Sequence, residues 1–140
     1  MAGDVEKVFN NIAKKISHVT ELFLARAALH TEAKISEIFK TEGRAFNVEW
    51  APLKEAYLKW KLKKGFSEKK LHRTTTLSQS FTSKVEGLQA IVGTPVPYAI
   101  YHEFGTKKMP ARPFMAPVAD YMANIGLKKI FDATFKEVFG

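Results

Sequence analysis

The stretch LSQSFTSKVEGLQAIVG, residues 77–93, decides the fold class. From Leu77 to Val85 the pattern has a period of two: Leu77, Phe81 and Val85 share one side, and Ser78, Ser80, Thr82 and Lys84 the other. Successive side chains on a strand point to opposite faces, so this alternation predicts a half-buried strand. Glu86-Gly87 marks a turn, and Leu88 to Val92 predicts a second strand, ended by Gly93-Thr94-Pro95. The pair forms a β-hairpin. A lone hairpin is marginal in water and needs a helix against one face. Its outer edge stays free to pair with a neighbouring subunit.

Helices on either side supply that cover. Residues 4–41 carry Val5, Val8, Phe9, Ile12, Ile16, Val19, Phe23, Leu29, Ala33, Ile35, Ile38 and Phe39, spaced mostly by three or four. That spacing lays one apolar stripe along a long helix, with Asp4 placed to cap it and Gly43 to stop it. The stripe drifts in phase between Phe23 and Ile35, which leaves open a kink, a second contact surface or a division into two helices. Residues 52–64 predict a shorter helix, with Pro52 in its first turn, Trp50, Leu53, Tyr57 and Trp60 on an aromatic face and Gly65 at its end. Pro97 to Phe104 predicts a third, with Tyr98, Tyr101 and Phe104 as candidate buried residues and Gly105 as its exit. After a loop from Thr106 to Pro113, a last helix runs over 114–138, weakened in the middle by Gly126. The expected fold is α+β: a long N-terminal helix, short helices and a C-terminal helix packed on a small antiparallel hairpin, in one domain of residues 1–140.

The 140 residues contain no cysteine, which removes disulfides and thiolate metal sites. The N-terminus has no pattern of a secretory signal, and no stretch approaches the ~18 apolar residues of a membrane span, so no membrane partner is expected. The histidines His18, His30, His72 and His102 form neither HExxH nor a zinc-binding spacing. No phosphate-cradling glycine loop or nucleophile elbow is present. His102-Glu103 is the one pair that could suggest acid–base chemistry, and an enzyme acting through it is the weakest reading. No cofactor is expected.

The basic residues carry more information. The formal net charge is +8. Between Lys54 and Arg73, eight basic side chains (Lys54, Lys59, Lys61, Lys63, Lys64, Lys69, Lys70, Arg73) face two acidic ones, and Lys107, Lys108 and Arg112 form a second cluster. Such clusters contact phosphates without reading sequence, or dock an acidic protein surface. No signature of sequence-specific DNA reading accompanies them. A basic protein that binds DNA nonspecifically is therefore one reading of the chain.

Two segments carry a resemblance. One is Trp50-x-x-Leu53-x-x-x-Tyr57-x-x-x-Lys61 followed by Leu71-x-x-Thr74-x-x-Leu77-x-x-Ser80. The other is Val92-Gly93-Thr94, then Pro97-Tyr98-Ala99-x-x-His102-x-Phe104-Gly105 and Pro110-Ala111-Arg112-Pro113-Phe114. In this order, over about residues 48–120, the chain resembles the virion-morphogenesis, or tail-completion, family of tailed phages. It is more loosely similar to head–tail joining proteins. Thr75 stands where members usually carry Gly, a change that bears on the local turn.

The resemblance implies a non-catalytic subunit that acts late in assembly, at the head-proximal end of the tail or in the neck. It implies a ring, hexameric by analogy with related terminators, through which DNA passes. The expected partners are further copies of the chain, the tail tube and the neck or head-completion proteins. The expected location is the virion, after assembly in the host cytoplasm.

The residues fit a docking role. Pro110 and Pro113 stiffen a loop that sets Arg112 beside Phe114, and a stiff loop loses little entropy on docking. The candidate contact residues are thus Tyr98, His102, Phe104, Arg112 and Phe114. Lys59, Lys61, Lys63, Lys64, Lys69, Lys70, Arg73, Lys107 and Lys108 are candidates for the DNA path or an acidic neighbour.

Overall fold

A computed structural model describes residues 2–52, 59, 60, 62–65 and 76–140. The first element, α1, spans Ala2–Thr41 as a single unbroken helix. At 1.5 Å per residue it is about 60 Å long, well beyond the ~37 Å diameter of a compact 140-residue body. The core therefore engages only part of it. Ile35, Ile38 and Phe39 near its C-terminal end are buried, whereas every described residue up to His18 is exposed. The drift in stripe phase thus marks a second contact surface: the deep core lies on a different side of α1 from the Val5–Phe23 stripe.

The chain leaves α1 through Glu42 (φ 53°) and Gly43 (φ 88°). The Gly43 N–H donates to Ile38 O at 3.0 Å, and a Cβ at Gly43 would lie 1.8 Å from Val48 O, so only glycine fits. A 3₁₀ turn, Arg44–Phe46, returns the chain to Trp50, whose N–H donates to Glu42 O at 3.0 Å. Of the helix expected over 52–64, the described residues hold only the end. There the Lys64 N–H donates to Trp60 O (3.1 Å), and Gly65 takes φ 81°. Leu53, Tyr57 and Thr75 lie outside the described residues.

The hairpin is present. Strands β1, Thr82–Glu86, and β2, Gln89–Gly93, pair antiparallel from Thr82↔Gly93 to Glu86↔Gln89 around a two-residue turn in which Gly87 takes φ 56°. The first strand begins five residues later than the alternation predicts. Leu77 is buried in a turn, not in the strand, because the Ser80 hydroxyl bonds to Leu77 O at 2.6 Å and folds that segment back. Val85, expected inside, is exposed: α1 covers the base of the hairpin, where the Ser83 hydroxyl donates to Glu32 Oε2 at 2.7 Å, and leaves the tip uncovered.

Helix α2, Ala99–Phe104, turns the opposite way from expectation. It buries Ala99 and Glu103 and leaves Tyr98, Tyr101 and Phe104 exposed. The last helical stretch comprises α3, Met115–Tyr121, a π-helical turn, Met122–Gly126, and α4, Leu127–Phe139. Gly126 is buried, and a Cβ there would sit 2.7 Å from Met122 Sδ, which explains glycine at this point of the wide turn.

Phe114, Val118 and Met122 close the core over Ile35, Ile38, Phe39, Trp50, Leu77 and Ala99. Phe39 is its centre, with ring centroids at 5.2 Å from Phe114 and 5.4 Å from Trp50. Beyond the core, α4 runs antiparallel along α1. Phe131 meets Phe23 edge-on at 5.6 Å, Arg26 reaches Glu137 at 2.7 Å, and the Lys15 ammonium lies 5.5 Å over the Phe139 ring. The architecture is α+β, as expected.

Candidate assembly surface

The segment after the hairpin is tied from within. The Glu103 side chain is 8 % exposed. Its Oε1 accepts the N–H of Phe114 (3.1 Å) and of Met115 (2.7 Å), and Oε2 accepts that of Ala116 (3.3 Å). A helix N-terminus leaves its first amides without partners and carries partial positive charge, and one carboxylate from α2 satisfies both demands for α3. Glu103 is therefore fully engaged in holding two elements together. That role gives it a structural reason to stand beside His102.

Arg112, expected on the docking surface, is 7 % exposed. Its Nε donates to Ala51 O at 3.2 Å and one terminal nitrogen approaches Pro52 O at 3.4 Å, while its own N–H donates to His102 O at 2.7 Å. The guanidinium thus anchors the loop to the segment after Trp50, sixty residues earlier. Trp50 completes the tie: its indole N–H donates to Pro113 O at 2.8 Å. Phe114 is 1 % exposed and belongs to the core. The stiffness predicted for this loop is real, but it holds Arg112 and Phe114 inward. Their placement corrects the expectation that these two side chains meet a partner.

The remaining ties connect the end of the first sequence segment to the start of the second. The Ser80 and Thr94 hydroxyls are hydrogen-bonded to each other, and Thr94 Oγ1 accepts the Val96 N–H at 3.1 Å. Gly105 makes the sharp exit at φ 76°, where a Cβ would come within 2.7 Å of Ala111 N. Thr106 and Met109 then exchange backbone hydrogen bonds (2.9 and 3.3 Å), a tight turn that lifts Lys107 and Lys108 into solvent.

His102 is half-buried, with Tyr98 edge-on at 5.8 Å. Burial, and then the nearby Arg112 charge, hold its pKa below the usual histidine value. Its Nδ1 is buried with no hydrogen-bond partner among the described residues. No group of three or more His, Asp or Glu side chains that could hold a metal occurs among the described residues. No helix among them is long and apolar enough to cross a membrane.

What the segment offers outward is the far side of α2. Tyr98, Ile100, Tyr101 and Phe104 are exposed there, Phe104 by 74 %. Beside them opens a cavity of about 220 Å³ lined by Phe81, Thr94, Ala99, Ile100, Phe104 and Met115. Sequence reading offered Tyr98 and Phe104 as contacts, took Tyr101 as buried and left Ile100 out. The signal was present: Ala99 and Glu103, four apart, could be the inward pair, which turns the aromatics out. Among the basic candidates, Lys59, Lys63, Lys64, Lys107 and Lys108 are exposed, while Lys61, Lys69, Lys70 and Arg73 lie outside the described residues.

Residues 3–133 match the phage virion morphogenesis family. The chain belongs to that family. Its relatives include an uncharacterized protein of Methanocaldococcus jannaschii, 30 % identical over 141 residues that cover 96 % of this chain and 98 % of the relative. A Mu-like prophage FluMu G protein 2 of Haemophilus influenzae is 30 % identical over 121 residues, 81 % of this chain and 78 % of that protein. No solved structure matches. The match extends past the 48–120 segment into both long helices. Family membership assigns the chain to phage virion morphogenesis, the class expected from the two segments.

Proposed function

We propose that the protein is a tail-completion, or tail-terminator, subunit that forms a ring at the head–tail junction of a tailed phage or phage-like particle. The observation that carries this reading is the exposed apolar face of α2, set on a frame stiffened by Glu103, Arg112 and Trp50. A rigid surface rich in tyrosine and phenylalanine loses little entropy on docking and buries a large apolar area. Neighbouring subunits in a ring, with six as the expected number, would seat Tyr98, Tyr101 and Phe104 against one another's hairpins. Among the described residues β2 pairs only with β1, and it carries no charged residue from Gln89 to Gly93 to discourage strand pairing at its other edge. The basic turn at Lys107 and Lys108, with the exposed Lys59, Lys63 and Lys64, then faces the DNA path or an acidic neighbouring ring. The outer partners are the tail tube and the neck or head-completion proteins.

The test is a paired substitution, Tyr101→Ser with Phe104→Ser, in the particle that encodes the protein. Both side chains are exposed, so the fold should change by less than ~0.5 kcal/mol. Heads and tails should accumulate unjoined, and cryo-microscopy of wild-type necks should show a ring of this chain. A protein absent from purified particles would overturn the proposal. The rival, nonspecific DNA binding outside a particle, predicts steeply salt-dependent binding of free duplex that the double substitution leaves unchanged.

A further inference from the structure

We infer that the first sixteen residues of α1 form an arm that pairs, antiparallel and about a two-fold axis, with the same arm of a second copy. The inference goes beyond the ring reading and does not depend on it.

The arm is a helix whose apolar stripe is exposed, touched by α4 only at its Lys15 end among the described residues. Val5, Val8, Phe9, Ile12 and Ile16 are all exposed, Phe9 by 66 %. At 100° per residue these five fall in one band, and Phe23 continues it. Downstream, α4 occupies that band: Phe131 sits on Phe23, and the last ring of α4, Phe139, ends beneath Lys15. Upstream of Lys15 the same band runs on with no helix over it among the described residues. A solitary helix of this length is marginal in water, and its stability comes from packing an amphipathic face.

Area and charge favour a second copy. The five side chains offer about 500 Å² per copy, scaled from the ~150–250 Å² of a fully exposed large residue. Two arms face to face would bury on the order of 1,000 Å² of apolar surface, the level a specific interface must reach. Asp4 and Lys15 flank the stripe on one side and Glu6 on the other. Antiparallel packing brings like flanks together, which sets Asp4 of each arm beside Lys15 of the other when the axis passes near Asn10. Parallel packing would set the Asp4 flank against the Glu6 flank. The antiparallel register also places Val8 opposite Ile12 and Val5 opposite Ile16. In it, the positive N-terminal end of one α1 meets the negative C-terminal end of the other copy's α4. A self-complementary patch of this kind closes as a dimer. The α2 surface, about 40 Å further along α1, stays free for other contacts.

The experiment uses the full chain. Light scattering on purified protein should give twice the 15.8 kDa chain mass. A carbodiimide should couple Asp4 to Lys15, seen as a cross-linked peptide. Within one helix those residues are about 16 Å apart, so that linkage can form only between copies. Phe9→Asp with Ile12→Asp should raise the dimer dissociation constant at least ~30-fold. Should that pair disturb folding, Lys15→Glu should weaken the dimer and Asp4→Lys added to it should restore it. A monomer at every soluble concentration overturns the inference. So does a charge swap without rescue. A larger closed assembly that never yields the Asp4–Lys15 linkage also overturns it, and would leave the ring reading standing.

Discussion

Removing the Glu103 carboxylate should cost the fold more than any change on the α2 surface. Three amides depend on it, those of Phe114, Met115 and Ala116. The Phe114 bond is buried, and an amide there would have no other acceptor, at a cost of ~1–3 kcal/mol. The other two are partly buried, so water recovers part of their loss. The carboxylate also opposes the positive end of a helical stretch that runs from Met115 to Phe139, worth a further ~0.3–1 kcal/mol. Against this, the truncated protein no longer desolvates a charge. Glu103→Ala should therefore lose about 3 kcal/mol, and Glu103→Gln, which keeps one acceptor oxygen, about half of that.

Urea titration at neutral pH reads the difference directly as a lower midpoint with an unchanged slope. In a thermal scan the loss should appear as a fall of roughly 10 °C for a chain of this size. Intact secondary structure with a midpoint within ~0.5 kcal/mol of wild type would refute the reasoning, because surface substitutions behave that way. It would mean that α3 finds its cap elsewhere and that Glu103 is available for other work.

Three further outcomes follow from the same geometry. Arg112→Ala should destabilise by about 2–3 kcal/mol in urea, because the carbonyls of Ala51 and Pro52 lose a charged donor, and Arg112→Lys should recover only part of this. Phe114→Ala should cost roughly 3–5 kcal/mol, because its ring packs on Phe39 and Phe81 at the centre of the core. His102 should make stability fall on acidification. Its folded pKa lies below that of the unfolded chain, so as pH drops through about 6.5 the unfolded state gains a proton first. The loss continues down to the folded pKa and then levels. His102→Gln should flatten this part of the profile below about pH 6.5, leaving the slope that His30 contributes in the same direction.

Local pattern made the hairpin and the long helix legible. Alternation from Leu77 to Val85, of which the strand uses the part from Thr82 on, Gly87 at a tight turn and Gly43 after α1 each state a backbone preference within a few residues. The faces of short helices were harder to read. In α2 the large aromatics looked like core, yet Ala99 and Glu103 are the inward pair, because a six-residue helix has too few positions for periodicity to outvote side-chain size. Arg112 was misplaced for another reason, and the role of Glu103 was not legible at all. Both are charged, and a charged residue in a loop or short helix suggests a surface or a site rather than an internal tie. Their partners lie at Ala51, Pro52 and the amides after Pro113, and nothing in a local window announces a carbonyl sixty residues away.

Those long-range ties also join the two family-like segments to each other. Trp50 bonds Pro113, Arg112 bonds the two residues after Trp50, and Ser80 bonds Thr94, so each segment supplies acceptors and donors that the other needs. Such residues define the subunit and leave its contacts open. Exposed apolar side chains lie on α2, at the hairpin tip and along the α1 arm, and of the α2 group Tyr98 and Phe104 belong to the two family-like segments. Substitutions should therefore divide into two groups. Changes at Trp50, Ser80, Glu103 or Arg112 should lower stability first and assembly only in consequence. Changes at Ile100, Tyr101, Leu88 or Phe9 should leave the isolated chain folded and act on what it joins. A variant of the first group that stays fully stable yet fails to assemble would break the division, and with it the claim that the ties between the two segments are internal scaffolding.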